Sequence, residues 1–203
     1  TPGSDQYAND LWDWDSWLTN IALRQILTDK ANPKEKKEAL AHERGCILNF
    51  LDYGGADGYI PIVVWKNANP RKQMPKGIYK ENMHKPVLAQ HAASLVQQGQ
   101  GNPEWLRGKF YFMQAFMTNY KMHHRNKATG LYYWQNDVAI GVDNDPATFF
   151  RPPGSSASIY LNCLMYKEFL AMAYLAKCLN QAEVAREFDL DAIALKEAVQ
   201  KNC

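Results

Sequence analysis

Between Leu131 and Arg151 the chain gathers three carboxylates (Asp137, Asp143, Asp145), three amides (Gln135, Asn136, Asn144) and the rings of Tyr132, Tyr133, Trp134, Phe149 and Phe150. Aromatic rings beside acids and amides are the materials of a sugar site. A ring stacks on the C–H face of a pyranose, while carboxylates and amides take its hydroxyls. No apolar period runs through the stretch, and Gly130, Gly141 and Pro146 punctuate it, so it reads as loop. A glycine beside such acids also lets the backbone approach a ligand closely. Composition alone favours a plainer reading, an aromatic-rich loop plugging the end of a helical bundle with its acids in water. The elements around it shift that balance.

Those elements are helices. The first runs from about Asp13 to Asp29, with Trp14, Trp17, Leu18, Ile21, Ala22 and Ile26 as its expected buried stripe. Asp13 suits an N-cap, and Asp15 in the first turn suits the helix dipole. Asn32, Pro33 and Glu35 form a box-like start for a charged second helix that stops before Gly54-Gly55. Pro86 opens a nearly uncharged third helix, Val87 to Gln98, closed by Gly99 and Gly101. Asn102-Pro103 repeats the start signal for a fourth helix reaching about Arg125. Ser155 or Ser156 caps a fifth, Ile159 to Leu179, and a sixth, charged helix follows Asn180.

Six helices then pair as three hairpins, the first of each more apolar and the second more charged, as inner and outer layers require. Connections within pairs are short (30–32, 99–102, near 180), whereas 53–85 and 126–154 between pairs are long. With antiparallel neighbours, both long loops and the opening segment 1–13 fall at one end, beside the N-termini of the apolar helices. Function on one loop face of a rigid helical scaffold is the inference. The architecture expected is all-α, an α/α toroid of which three hairpins make half. The chain, 1–203, is thus expected to be a single, incomplete portion of a catalytic domain from a longer protein.

Three groups of residues resemble one family in order along the chain. Trp12-Asp13-Trp14-Asp15-Ser16-Trp17 resembles the Trp-Asp-Ser signature of glycoside hydrolase family 63, and the related trehalase family has a similar segment. Lys85-Pro86-Val87-Leu88-Ala89 resembles its Gln-Pro-Pro-Val-Leu segment. Gly130-Leu131-Tyr132-Tyr133-Trp134 with Gly141-Val142-Asp143-Asn144-Asp145-Pro146 resembles its Gly-hydrophobic-Asp-Asn-Ser-Pro segment, followed fittingly by Tyr160-Leu161-Asn162. The resemblance implies an (α/α)6 barrel and inverting hydrolysis of an α-glycosidic bond, as in α-glucosidases acting on glucosides or related oligosaccharides. It implies Asp143 as general acid and Trp14 and Asp15 as parts of the terminal-sugar subsite. His84-Lys85 departs from the family's Gln-Pro, and Asp145 from its Ser. The family's general base, a downstream Glu, is expected outside this chain.

Inversion needs an acid for the leaving oxygen and a carboxylate for water, about 6.5–9.5 Å apart. Besides Asp143, the candidate sugar contacts are Trp12, Trp14, Asp15, Trp65, His84, Trp134 and Asn144; Trp12 and Trp65 fit a pocket lining or a barrel-end seal equally. Lys66, Arg151, His123 and His124 read as solvated or structural, and His42 and His91 as helix-face residues. Net charge is +2 with both signs interspersed, so composition offers no case for nucleic acid or membrane partners. Neither metal-ligand spacing nor a cofactor motif is visible, so none is expected, though the oxygen-rich 135–145 loop leaves calcium open. Four cysteines without paired spacing leave the compartment undecided. The partners expected are an oligosaccharide and the rest of the barrel. A non-catalytic carbohydrate- or protein-binding helical module is the alternative, and a lyase or isomerase on an α/α barrel a third.

Overall fold

The cap signals translate directly into helices. In a computed structural model, which describes residues 5–30, 32–66, 81–98 and 102–203, α1 (Asp13–Lys30) is followed by α2 (Pro33–Asp52). The Asn32 side chain accepts from the Lys34 and Glu35 N–H groups while the Glu35 carboxylate accepts from Asn32 N, the full reciprocal box. Residues 1–4, 67–80 and the closing Gly99 and Gly101 lie outside the described residues. Then come α3 (Leu88–Gln98), α4 (Phe110–His123), a single-turn α5 (Asp137–Ile140), α6 (Ile159–Cys178) and α7 (Ala182–Asn202). A two-stranded antiparallel ribbon of β1 (Asp10–Trp12) and β2 (Val63–Trp65) completes an otherwise all-α domain.

α1, α3 and α6 lie side by side, with α2 against α1 and α3, and α7 against α6. Ion pairs link the flanking helices: Lys109 with Asp52 joins the start of α4 to α2, and Lys121 Nζ lies 2.8 Å from Asp191 on α7. One core runs from Ile47 and Phe50 on α2 through Leu88, Phe110 and Phe116 to Met165, Phe169 and Leu195.

Four local expectations are corrected. The Asn102-Pro103 start makes only a 3-10 turn, Glu104–Leu106, and the α-helix begins at Phe110. The cap of α6 is Ser158 rather than Ser155 or Ser156; its hydroxyl accepts from Leu161 N. The 131–151 loop contains α5, capped by Asn136. The largest change is in α1. Leu18, Ile21, Ala22 and Ile26 face solvent, and the buried face is polar: Asp13, Ser16 and Asn20, with Arg24 reaching Glu43 at 3.0 Å. Ser16 and Asn20 donate to backbone carbonyls within the helix, and the Glu43 carboxylate stands 3.0 Å from both Arg24 and His91. Polar groups with specific partners can be buried, which leaves the apolar stripe on the open side.

Candidate active site

Described segments that precede the inner helices meet at one end. Asp13 N donates to Ile62 O at the end of the ribbon, and His84 N donates to Ile60 O. Asp13, expected as a cap, instead reaches across: its Oδ2 accepts from Lys85 N at 2.8 Å, and Lys85 Nζ stands 3.3 Å from Oδ1. Both side chains are buried, at 0% and 3% exposure. The same ammonium lies 5.1 Å from the centre of the Trp14 ring.

The loop from Leu131 to Arg151 closes onto this floor. Its start is gripped by buried Asn162 of α6, which accepts from Tyr132 N and donates to Tyr132 O. α5 ends at Gly141 in the left-handed region (φ 73°), and a Cβ there would come within 2.8 Å of Lys85 Nζ and 3.2 Å of Trp14 Cε2. Only glycine fits that contact. Three residues on, Asn144 is also left-handed (φ 61°). The acids divide their work. Asp137 accepts from Asn144 N and from the Thr148 hydroxyl, and Asp145 accepts from Ala147 N. Asp143 makes no hydrogen bond or ion pair among the described residues and is exposed. Two carboxylates shape the turn and the third is presented by it.

The other predicted site residues separate into rim and interior. Asp15, half-buried, has its carboxyl raised from the ordinary value by burial and then by the neighbouring Asp13 charge. Trp12 on β1 and Trp65 on β2 are half-buried, the first with the Tyr7 ring edge-on at 6.2 Å. Asn144 is exposed beside Asp143. Trp134 and His84 are interior instead. The Trp134 indole N–H donates to Ser158 Oγ at 2.9 Å. The His84 ring packs edge-on against Phe50, and its Nδ1 donates to Lys85 O at 2.6 Å, a carbonyl that can only accept. Burial lowers its pKa to about 4, so the ring is neutral. Lys66 and Arg151 are exposed, while His124 is half-buried beside Tyr120 and Tyr133.

Sequence reasoning missed the Asp13–Lys85 pair and the seat it offers Gly141. A lysine standing immediately before the uncharged run that opens at Pro86 was the available signal. It also missed Glu168, fully buried on α6, which accepts from Ala89 N at 2.6 Å and Gln90 N at 3.1 Å and so caps the start of α3 from a neighbouring helix. Among the described residues no group of three or more His, Cys, Asp and Glu side chains is placed to hold a metal, and no helix is long and apolar enough to cross a membrane.

The arrangement presents one exposed carboxyl, Asp143, on a turn whose Gly141 lies against the Trp14 indole, and a half-buried one, Asp15, next to Trp14 in the chain. No curated protein matches the chain. Residues 7–203 match the family described as "Mannosylglycerate hydrolase MGH1-like glycoside hydrolase domain". With the Trp-Asp-Trp-Asp-Ser segment, the buried inner-helix start and the acid-bearing turn meeting at one end, the chain belongs to this glycoside hydrolase family, of the family 63 type its motifs resemble.

Proposed function

We propose that the domain cleaves an α-linked glycoside with inversion, with Asp143 as general acid. The observation that supports this most is the contact of Gly141 with Trp14, which brings the turn carrying the loop's one unpartnered acid against the residues at the start of α1. Trp14, Asp15 and Asn144 are the candidates to hold the sugar, with Trp12 and Trp65 on the ribbon as further ones. His84 and Trp134, being interior, support the rim from below rather than touching substrate. No metal or cofactor takes part in this reading.

In the reaction Asp143 gives its proton to the glycosidic oxygen as the C1–O bond breaks and its electron pair moves onto that oxygen. The aglycone leaves as an alcohol. Water attacks C1 from the opposite face and loses its proton to a second carboxylate, giving the inverted hemiacetal. The domain is a portion of a larger (α/α)6 barrel, and that base comes from the remainder. What supports this is the apolar stripe of α1, with Leu18 47% and Ile26 57% exposed, together with exposed Leu190 and Ile193 on α7: both ends of the three-hairpin row offer faces for further helices. The family description names a mannosylglycerate hydrolase, which favours a sugar on a small acidic aglycone, with α-glucosides and related oligosaccharides as the wider class.

The test is hydrolysis of mannosylglycerate, its glucosyl analogue and α-linked glucose disaccharides, with the product anomer read by NMR before mutarotation. Inverted product is expected, and Asp143→Asn lowers turnover at least ~10²-fold with helicity intact. Retained configuration, or wild-type turnover in the variant, refutes the mechanism; binding of these sugars without turnover in the complete protein favours a carbohydrate-binding module.

A further inference from the structure

We propose that Lys85 is a positioning residue for this cleavage: its buried ammonium, locked to Asp13, is the seat that holds the Asp143-bearing turn against Trp14. The proposal rests on Asp143 being the general acid.

A buried lysine needs a partner, and Lys85 takes the same one twice, through its backbone N–H and through Nζ. Such a pair adds little to stability over apolar side chains of the same size, whereas it fixes geometry tightly because both ends are dry. Asp13 is the first residue of α1 and Lys85 stands just before α3, so the pair ties two inner helices at their N-termini. The side chain then has two faces left. One lies over the Trp14 ring. The other is covered by Gly141, where a Cβ would stand 2.8 Å from both Cε and Nζ. The turn therefore cannot sink toward the core without displacing a pinned ammonium. Within the turn, Asn144 N is held by Asp137, so Asp143 lies in the chain between the seated Gly141 and a residue of fixed local geometry.

The test pairs Asp13→Asn with Lys85→Met, so that neither charge is left buried alone. In the full chain, the Asn144 amide is expected to exchange with deuterium at least tenfold faster and the Gly141–Asp143 amide resonances to move, with α6 and α7 protected as before. Unchanged exchange and shifts in the folded double variant overturn the proposal. On substrates, kcat for methyl α-D-mannopyranoside should fall at least tenfold more than kcat for α-D-mannosyl fluoride, whose leaving group needs little proton help, with KM unchanged. Equal losses overturn it. Asp143→Asn run alongside isolates the underlying reading: if it spares the methyl glycoside, Asp143 is not the acid, and amide exchange alone decides whether Lys85 seats the turn. Should the double variant not fold, Gly141→Ala approaches from the other side. In protein carrying 5-fluorotryptophan, its Trp14 fluorine resonance, assigned with Trp14→Phe, is expected to shift, and an unmoved resonance overturns the proposal.

Discussion

Replacing Glu168 by Gln tests whether a buried acid, rather than the hydrophobic core alone, anchors the start of α3 behind the candidate site. Glu168 is fully buried, and burial raises its pKa from 4.5 to about 7 against the pull of the Ala89 and Gln90 N–H groups. Since the folded value lies above the unfolded one, the stability this group contributes is fully present below pH 4.5 and is lost as pH rises through about 7. At ~1.4 kcal/mol per pH unit, the loss is about 3 kcal/mol over that window, of which about 2–3 kcal/mol falls between pH 5 and pH 8. The glutamine side chain of the variant cannot titrate, and its amide accepts from only one of the two helix N–H groups while turning its own NH2 toward the other. Urea unfolding of both proteins at about pH 5 and about pH 8 isolates the term, because every other titrating group cancels in the difference. The advantage of the wild type over Glu168→Gln should shrink by about 2–3 kcal/mol from the acid to the alkaline condition. A difference that stays constant with pH refutes the reasoning.

Other perturbations have equally definite outcomes. Gly141→Ala combines a left-handed backbone with a Cβ 2.8 Å from Lys85 Nζ, and should cost about 2–4 kcal/mol in denaturant titration. Ser158→Ala removes both the cap on Leu161 N and the acceptor for the buried Trp134 N–H; a loss of about 2–3 kcal/mol is expected, largely restored by Ser158→Thr. His84 titrates near 4 in the folded chain, below its ordinary 6.5, so its contribution is present above pH 6.5 and lost as pH falls through 4. That is about 3 kcal/mol of acid sensitivity, and His84→Gln, which still donates to the Lys85 carbonyl, should flatten stability across this range.

The parts of the fold legible in the sequence are those with local causes. The Asn32–Glu35 box and the pairing of α1 with α2 and of α6 with α7 follow from caps, glycines and loop lengths within a few residues. Of the stripe expected on α1, Trp14 and Trp17 pack against the core while Leu18, Ile21, Ala22 and Ile26 face solvent. Periodicity reports that an apolar face exists; what covers it depends on neighbours the spacing does not specify. Asn102-Pro103 carries a good start signal, yet the α-helix waits until Phe110. In the site, Asp143, Trp14 and Asp15 stand out through their motifs, and Gly141, two residues before Asp143, lies against Trp14. Trp134 and His84 carry no sequence mark separating a ring that lines a cleft from one that supports it. The Asp13–Lys85 pair joins positions 72 residues apart, so the lysine can be noticed in the sequence but its partner cannot.

That separation bears on the order in which the protein assembles. Asp13 meets Lys85 across 72 residues, and Glu168 meets Ala89 across 79, whereas α6 and α7 meet through a turn of a few residues. Closing a long segment loses chain entropy before any contact rewards it, so the hairpins are expected to form first and the rim around Asp143 to knit last. By the same reasoning the rim is the first region expected to open under native conditions, so this loop face can loosen while the helices beneath it stay folded.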